Sequence, residues 1–309
     1  MANSHPTISE SSEATAPILS VIIVTYRSSD EIGNCLRSLP RQLAGRPIET
    51  IVVDNDSPDD TERVVREGFD WVRLHQSGEN LGFSRANNLG AKLATGEYLL
   101  FLNPDTVVNE EALAACVQRV SAEPSIGIIS PRLVLADGTM DLACRRSIPT
   151  AWDGFARATG LARLFPRVRL LAGYNLTYLP DDGTYDVGAV NGAFMMLSRK
   201  NLVRIGLFDE GFFMYGDDLD LCFRCAQAGL RVVYEGRQSI IHLKGQSSTK
   251  VYRTMSREVF RGTKQFYLKH FNPRQSVLIK WKYDFLFGCW ERAAGLIGRL
   301  KGHKMAQPL

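Results

Sequence analysis

Leu99-Leu100-Phe101-Leu102-Asn103-Pro104-Asp105-Thr106 is the stretch on which the reading of the fold turns. With Tyr98, five apolar residues precede a polar turn, as in a strand buried on both faces. Pro104 ends that strand because it has no amide to give to a ladder. Asp105 is thereby expected at the carboxyl end of a buried strand, the rim where open α/β sheets bind ligands. A carboxylate in a turn at that rim suits a hard divalent cation held against a phosphate. Asn-Pro-Asp-Thr is also good turn chemistry by itself, so the neighbouring motifs carry the decision.

Upstream, residues 18–25 (ILSVIIVT) form a buried strand, followed by a loop whose serines, Ser28 and Ser29, can cap a helix starting near Asp30. Residues 48–54 (IETIVVD) form a second strand, ending in Asp54-Asn55-Asp56-Ser57 with Pro58 suited to a helix's first turn. A short strand is expected at 71–75, then a loop over 80–88 running into a helix. Strand and helix alternating with short polar junctions predicts a parallel sheet with right-handed crossovers. No Gly-x-Gly-x-x-Gly follows the first strand and no Walker loop is present, which argues against dinucleotide and P-loop chemistry. What remains distinctive is a carboxylate at each of two strand ends. Asp54 could accept the imide N–H of a pyrimidine, and Asp105 could reach a metal on a diphosphate.

The composition fits a folded chain: 309 residues, 45% of them hydrophobic. Six scattered cysteines include one Cys-x-x-Cys, Cys222 and Cys225, with no second pair to complete a zinc site, so reduced thiols of a cytosolic protein are expected. Residues 1–17 read as a disordered tail, not a signal peptide, and no apolar run is long enough to cross a membrane. Charge is uneven. From His242 onward there are 14 Lys and Arg against 3 Asp and Glu, which leaves residues 1–241 at −7. A basic tail on an acidic body points to an anionic partner: a membrane surface, a lipid diphosphate or, less well supported without a recognised module, nucleic acid.

Residues 136–186 are less regular and carry Arg145, Arg146, Arg157, Arg163, Arg167 and Arg169. A lid, an acceptor-facing insertion and a solvated excursion all fit them. Order returns at 187–198, where Gly188 and Gly192 would allow close backbone approach to a ligand. The densest acidic cluster follows over 208–221. From Asp217 a helix is expected, with Asp217, Asp220 and Arg224 along one side and Asp218 pointing elsewhere. Crowding of the adjacent acids raises carboxylate pKa values, as suits a proton acceptor at Asp218. After a strand at 230–234, a second strand segment at 239–243 brings His242, which at a strand end before a Gly/Ser loop is a candidate second metal ligand.

Together these pieces resemble the family 2 inverting glycosyltransferases, in particular the bacterial rhamnosyltransferase-like branch that builds cell-surface polysaccharides. The resemblance rests on Ser20-Val21-Ile22-Ile23-Val24-Thr25-Tyr26, Val52-Val53-Asp54-Asn55, Asn80-x-Gly82-Phe83-x-x-Ala86-Asn87-Asn88 and Asn103-Pro104-Asp105-Thr106. Further along it rests on Phe208-Asp209-Glu210-x-Phe212-Phe213-Met214-Tyr215, Asp217-Asp218-x-Asp220-Leu221 and His242. It implies a GT-A fold over residues 18–250; residues 251–309, outside the motifs, read by their own pattern as a basic amphipathic helical extension. It also implies a nucleoside diphosphate sugar donor, dTDP-rhamnose foremost and a UDP-hexose or galactofuranose donor behind it, and a Mg²⁺ or Mn²⁺ ion. The acceptor implied is a lipid-linked or glycan hydroxyl. Thr25, Tyr26, Asp54, Arg85, Asn88, Asn103, Asp105 and Asp217 would meet the nucleotide-sugar, Asp105 and His242 the metal, and Asp218 would be the catalytic base. Asn103 departs from the family's first metal-motif aspartate, which leaves fewer anionic ligands and keeps a silent sugar-nucleotide-binding module in play. Asp217 stands where most members have glutamate. A nucleotidyltransferase is the other rival, but Tyr26-Arg27-Ser28-Ser29 is not its Gly-rich loop.

Beyond these motifs, Lys250, Arg253, Arg257, Arg261 and Lys264 recur at helical spacing, and a second helix over 276–300 mixes aromatic and basic residues. Two readings fit. The helices bind an anionic membrane at the inner face of the cell, or they pack on the catalytic domain or a second copy of the chain.

Overall fold

The computed structural model describes residues 16–243 and 252–271. Most of the expected tail, most of the basic extension and the helix at 276–300 lie outside them.

In chain order the first half comprises β1 (Leu19–Thr25), α1 (Ile32–Ser38), β2 (Gln42–Leu43), β3 (Arg46–Asp54), α2 (Thr61–Gly68), β4 (Arg73–Gln76), α3 (Gly82–Leu93) and β5 (Tyr98–Leu102). β4, β3, β1 and β5 pair in parallel, with Thr25 opposite Asp54 and Ile23 opposite Leu102. All five residues of β5 are buried, as its unbroken apolar run predicts. Alternate residues face two cores. Ile23, Val52 and Leu100 pack with α1 and α2, while Ile22, Val53 and Phe101 pack with α3.

The second half adds β6 (Thr106–Val107), α4 (Glu110–Ala122), β7 (Ile126–Val134), β8 (Arg145–Arg146), α5 (Ala151–Ala158), α6 (Leu161–Leu164), β9 (Thr184–Asp186), β10 (Ala189–Val190), β11 (Phe194–Ser198), α7 (Arg199–Ile205), α8 (Asp217–Gln227), β12 (Arg231–His242) and α9 (Tyr252–His270). β11 enters antiparallel beside β5, with Phe194 opposite Leu102, and the sheet continues through β7 and β12 to β6. The last pairing fixes the chemistry of the rim. β12 runs antiparallel to β6 with His242 opposite Thr106, and the Leu243 amide donates to the Asp105 carbonyl at 2.8 Å. His242 is thereby delivered next to Asp105 from 137 residues away.

Three local expectations change. α1 starts at Ile32 with no side-chain cap; the Ser28 carbonyl, not a serine hydroxyl, receives the Glu31 and Ile32 amides. Pro58 lies ahead of α2, which begins at Thr61. The two strands expected near 230–234 and 239–243 are one strand, β12, which absorbs the interruption by a register shift between Glu235 and Ser239. Cys222 and Cys225 are both buried on α8, where burial pushes the Cys225 thiol up to about 12, so neither is a ready metal ligand.

Candidate active site

At the end of β3 the Asp54 carboxylate is 1% exposed and rigidly held. Thr25 Oγ1 donates to its Oδ1 at 2.8 Å, the Ser57 hydroxyl does so at 2.5 Å, and the Ser57 amide reaches Oδ2 at 3.0 Å. One acceptor site on Oδ2 is left for an incoming N–H. Tyr26 is 43% exposed on the same rim, with the Arg27 guanidinium 5.5 Å from its ring centre. Arg85, half-exposed on the first turn of α3, has an acidic neighbour in Glu79 at 3.9 Å.

Asn88 does something different from what its motif implies. It is buried, its Nδ2 donates to the Phe208 carbonyl and Glu210 Oε1, and its Oδ1 accepts the Phe208 amide at 2.9 Å. Both donors are committed, so Asn88 staples α3 to the 208–216 loop instead of facing the rim. Gly82 tightens the same joint: its φ is +76°, and the Phe213 carbonyl lies 2.5 Å from where a Cβ would stand.

Next to β5, Asp105 and His242 meet, with Nε2 3.4 Å from Oδ1. The other ring nitrogen, Nδ1, is 3.1 Å from Asp141 Oδ2. Burial alone would lower the imidazole's pKa, but the two carboxylates override it and raise it to about 9. Asp105 Oδ1 is buried and accepts no hydrogen bond. A carboxylate oxygen without a hydrogen bond, facing an imidazole whose far nitrogen is oriented by a second carboxylate, is a donor set that fits a divalent ion. Among the described residues the set stops at this pair. Asn103 sits beside it, with its amide donating to the Ala193 carbonyl at 3.0 Å.

α8 opens at Gly216, whose φ of +85° sets Asp217 and Asp218 at its first turn. Asp218 is held from three sides: Arg146 Nη2 reaches Oδ2 at 2.5 Å, the Gly192 amide the same oxygen at 3.2 Å, and the Leu219 amide Oδ1 at 2.7 Å. Arg146 is itself tied to the Val190 carbonyl at 2.6 Å. The elevation expected of the acidic pair falls on Asp217, whose buried carboxyl is pushed up to about 7 by desolvation and then by the charge of Asp218. Asp220 points away, as its spacing predicts. It is fully buried and bound by Arg224, Lys269 and His270 at 2.7, 2.6 and 2.6 Å.

The turn Asn191-Gly192 joins the two clusters. Asn191 Nδ2 donates to Asp141 Oδ2 at 3.2 Å while the next amide holds Asp218. The close backbone approach expected at Gly192 is therefore to Asp218, and Gly188 packs against the backbone of Ser147 and Ile148. Arg146, Asp141 and Asn191 are site residues that the sequence reading did not single out. The first two lie in the irregular 136–186 segment, where no periodicity marks them; Asn191 is the one polar residue of the apolar run over 187–197.

Residues 20–162 match the family model for glycosyl transferase family 2. The chain is similar to that family over just under half of its length. It is similar to an N-acetylglucosaminyl-diphospho-decaprenol L-rhamnosyltransferase of Mycobacterium tuberculosis, 28% identical over 75% of this chain and 78% of the relative. It is similar also to the rhamnosyltransferase WbbL of Escherichia coli, 26% identical over 78% of this chain and 90% of the relative. A solved structure, the mannosyltransferase PcManGT of Pyrobaculum calidifontis in complex with GDP-Man and Mn²⁺, superposes at a TM-score of 0.58 and 18% identity, over 95% of this chain and 77% of that one. The fold is GT-A, and the protein is a glycosyltransferase.

Proposed function

We propose that the protein transfers L-rhamnose from dTDP-rhamnose to a hydroxyl of a lipid-linked acceptor, with inversion at the anomeric carbon. The observation that carries the mechanism is the Asn191-Gly192 turn, which hydrogen-bonds on one side to the Asp105/His242/Asp141 cluster and on the other to the restrained Asp218 carboxylate. The names of the two rhamnosyltransferase relatives support the sugar, and that of the first supports a lipid diphosphate acceptor.

In this reading Asp54, held by Thr25 and Ser57, accepts the base N–H, and Tyr26 and Arg85 line the nucleotide's side of the rim. Asp105 and His242 Nε2 would hold Mg²⁺ or Mn²⁺, with Asp141 orienting the imidazole. The ion supplies positive charge beside the donor's diphosphate. Asp218 takes the proton of the acceptor hydroxyl as its oxygen bonds to the anomeric carbon and the carbon–diphosphate bond breaks on the opposite face. Arg146 and the Gly192 amide fix the direction in which Asp218 presents its free lone pairs.

Thermal denaturation with Mg²⁺ and a panel of dTDP-rhamnose, UDP-glucose, UDP-galactose and UDP-N-acetylglucosamine tests the donor. Ligand at about 100 times its dissociation constant adds roughly 2.7 kcal/mol of stability. Stabilisation by dTDP-rhamnose alone is the expected result. A shift with a UDP-sugar instead would replace the sugar and keep the mechanism, and no metal-dependent shift with any donor would favour a silent binding module.

A further inference from the structure

We propose that the excursion spanning residues 151–171, formed by α5, α6 and the run after them, is the face by which the protein seats on an anionic lipid bilayer. Every residue from 163 to 170, Arg-Leu-Phe-Pro-Arg-Val-Arg-Leu, is exposed. Leu164 and Leu170 are 70% and 68% exposed, and Phe165 and Val168 nearly half. The run is folded back on α5 by the Trp152 indole, which donates to the Leu170 carbonyl at 2.7 Å, and the ring of Trp152 lies 5.3 Å from that of Phe155. Both rings are more than two-fifths exposed. Grouped exposed apolar side chains rimmed by charge mark partner or membrane contact sites.

Charge identifies the occupant. Between Leu142 and Pro180 the single acidic residue is Asp153, and its carboxylate is turned into the capping box of α5 with Thr150. Arg157, Arg163, Arg167 and Arg169 are all exposed, in a body whose net charge over residues 1–241 is −7. Arginines alternating with leucine, phenylalanine and valine suit the headgroup boundary, where apolar side chains enter the acyl region and guanidinium groups stay with lipid phosphates. A second copy of the chain would bring the same positive face against itself. A nucleic acid would meet the arginines and leave Leu164, Val168 and Leu170 in water.

The position fits the site. The Ser147 amide donates to the Tyr174 carbonyl at 2.8 Å and closes the root of the excursion, one residue after Arg146, which holds Asp218. An acceptor whose lipid tail stays in the bilayer would present its head beside that carboxylate. This consequence rests on the lipid-linked acceptor reading, but the bilayer contact does not need it.

Co-sedimentation of the full chain with phosphatidylcholine vesicles, with and without phosphatidylglycerol, needs neither donor nor acceptor and so fails separately from the transferase reading. Binding to the anionic vesicles only, weakened by salt, is expected. It should fall about tenfold or more in Leu164→Ser/Phe165→Ser/Leu170→Ser and in Arg163→Gln/Arg167→Gln/Arg169→Gln, with melting temperatures unchanged. Wild-type binding in both triple variants would overturn the proposal, as would no binding by the wild type. Light scattering that showed the apolar variant converting a dimer to a monomer, without effect on vesicles, would assign the face to a second copy and overturn it too.

Discussion

Asp217, Asp218 and His242 are three titratable groups in one site, each with a different environment. Asp217, raised from 3.8 to about 7 by burial and by the charge of Asp218, binds its proton more tightly in the folded chain than in the unfolded one. Native stability is therefore lost as pH climbs through that interval, and Asp217→Asn should be more stable than wild type above pH 7, by on the order of 1–3 kcal/mol, with the difference closing below pH 4. Urea denaturation across that range checks it. His242 has the same sense of pH dependence, at higher pH. Its pKa is raised from 6.5 to about 9, because Asp105 and Asp141 outweigh burial, so its contribution is complete below pH 6.5 and disappears as pH rises through 9. In metal-free protein, His242→Gln should thus cost more stability at pH 6 than at pH 9.5. Arg146 is the residue whose removal should separate positioning from binding. Without its 2.5 Å contact, Asp218 keeps only backbone donors. Arg146→Met should lower kcat by about 10²-fold with donor KM little changed, and Arg146→Lys should recover part of the loss.

At the scale of elements, the site depends on how loops are stapled to strands and helices. Gly82 holds the start of α3 against the Phe213 carbonyl at a positive φ, and an alanine there meets both backbone strain and a 2.5 Å contact. Gly82→Ala should cost about 1–3 kcal/mol in thermal denaturation and lower activity with it. On α8, Asp220 docks α9 through Lys269 and His270 while Arg224 ties it to the 205–207 loop. Breaking such a buried ion network by removing one partner costs about 3–5 kcal/mol, and Asp220→Ala should also speed amide exchange over residues 261–271. Much of this level was legible in the sequence. Buried strands announced themselves as unbroken apolar runs, and the helix at Asp217 by its acidic first turn. Asn88 shows the limit: its motif marked it as important, but only the fold reveals that it binds the Phe208 backbone and not the rim. β12 shows another, since a bulge within a strand and a break between two strands look alike along the chain.

Across the whole molecule, topology does what residue spacing could not. Asp105 and His242 come together because β12 returns antiparallel to β6, and Asp218 joins them through the Asn191-Gly192 turn. A sequence reading can name each of these residues by its place at a strand or helix end. It has no way to find Arg146 among six arginines of an irregular segment, since the contact that distinguishes it is made 72 residues away. The same segment carries the exposed apolar and basic face, while the extension first expected to meet the membrane lies mostly outside the described residues.

The central claim is that Asp218 acts as the base in a single inverting displacement. Proton NMR of the product made from a nucleotide-sugar donor, by wild type and by Asp218→Asn, tests it most directly. Inverted anomeric configuration is predicted for the wild-type product. Turnover in Asp218→Asn should drop by about 10²–10⁴-fold, with its thermal stabilisation by donor preserved. A product of retained configuration, or normal turnover in the variant, would contradict the account.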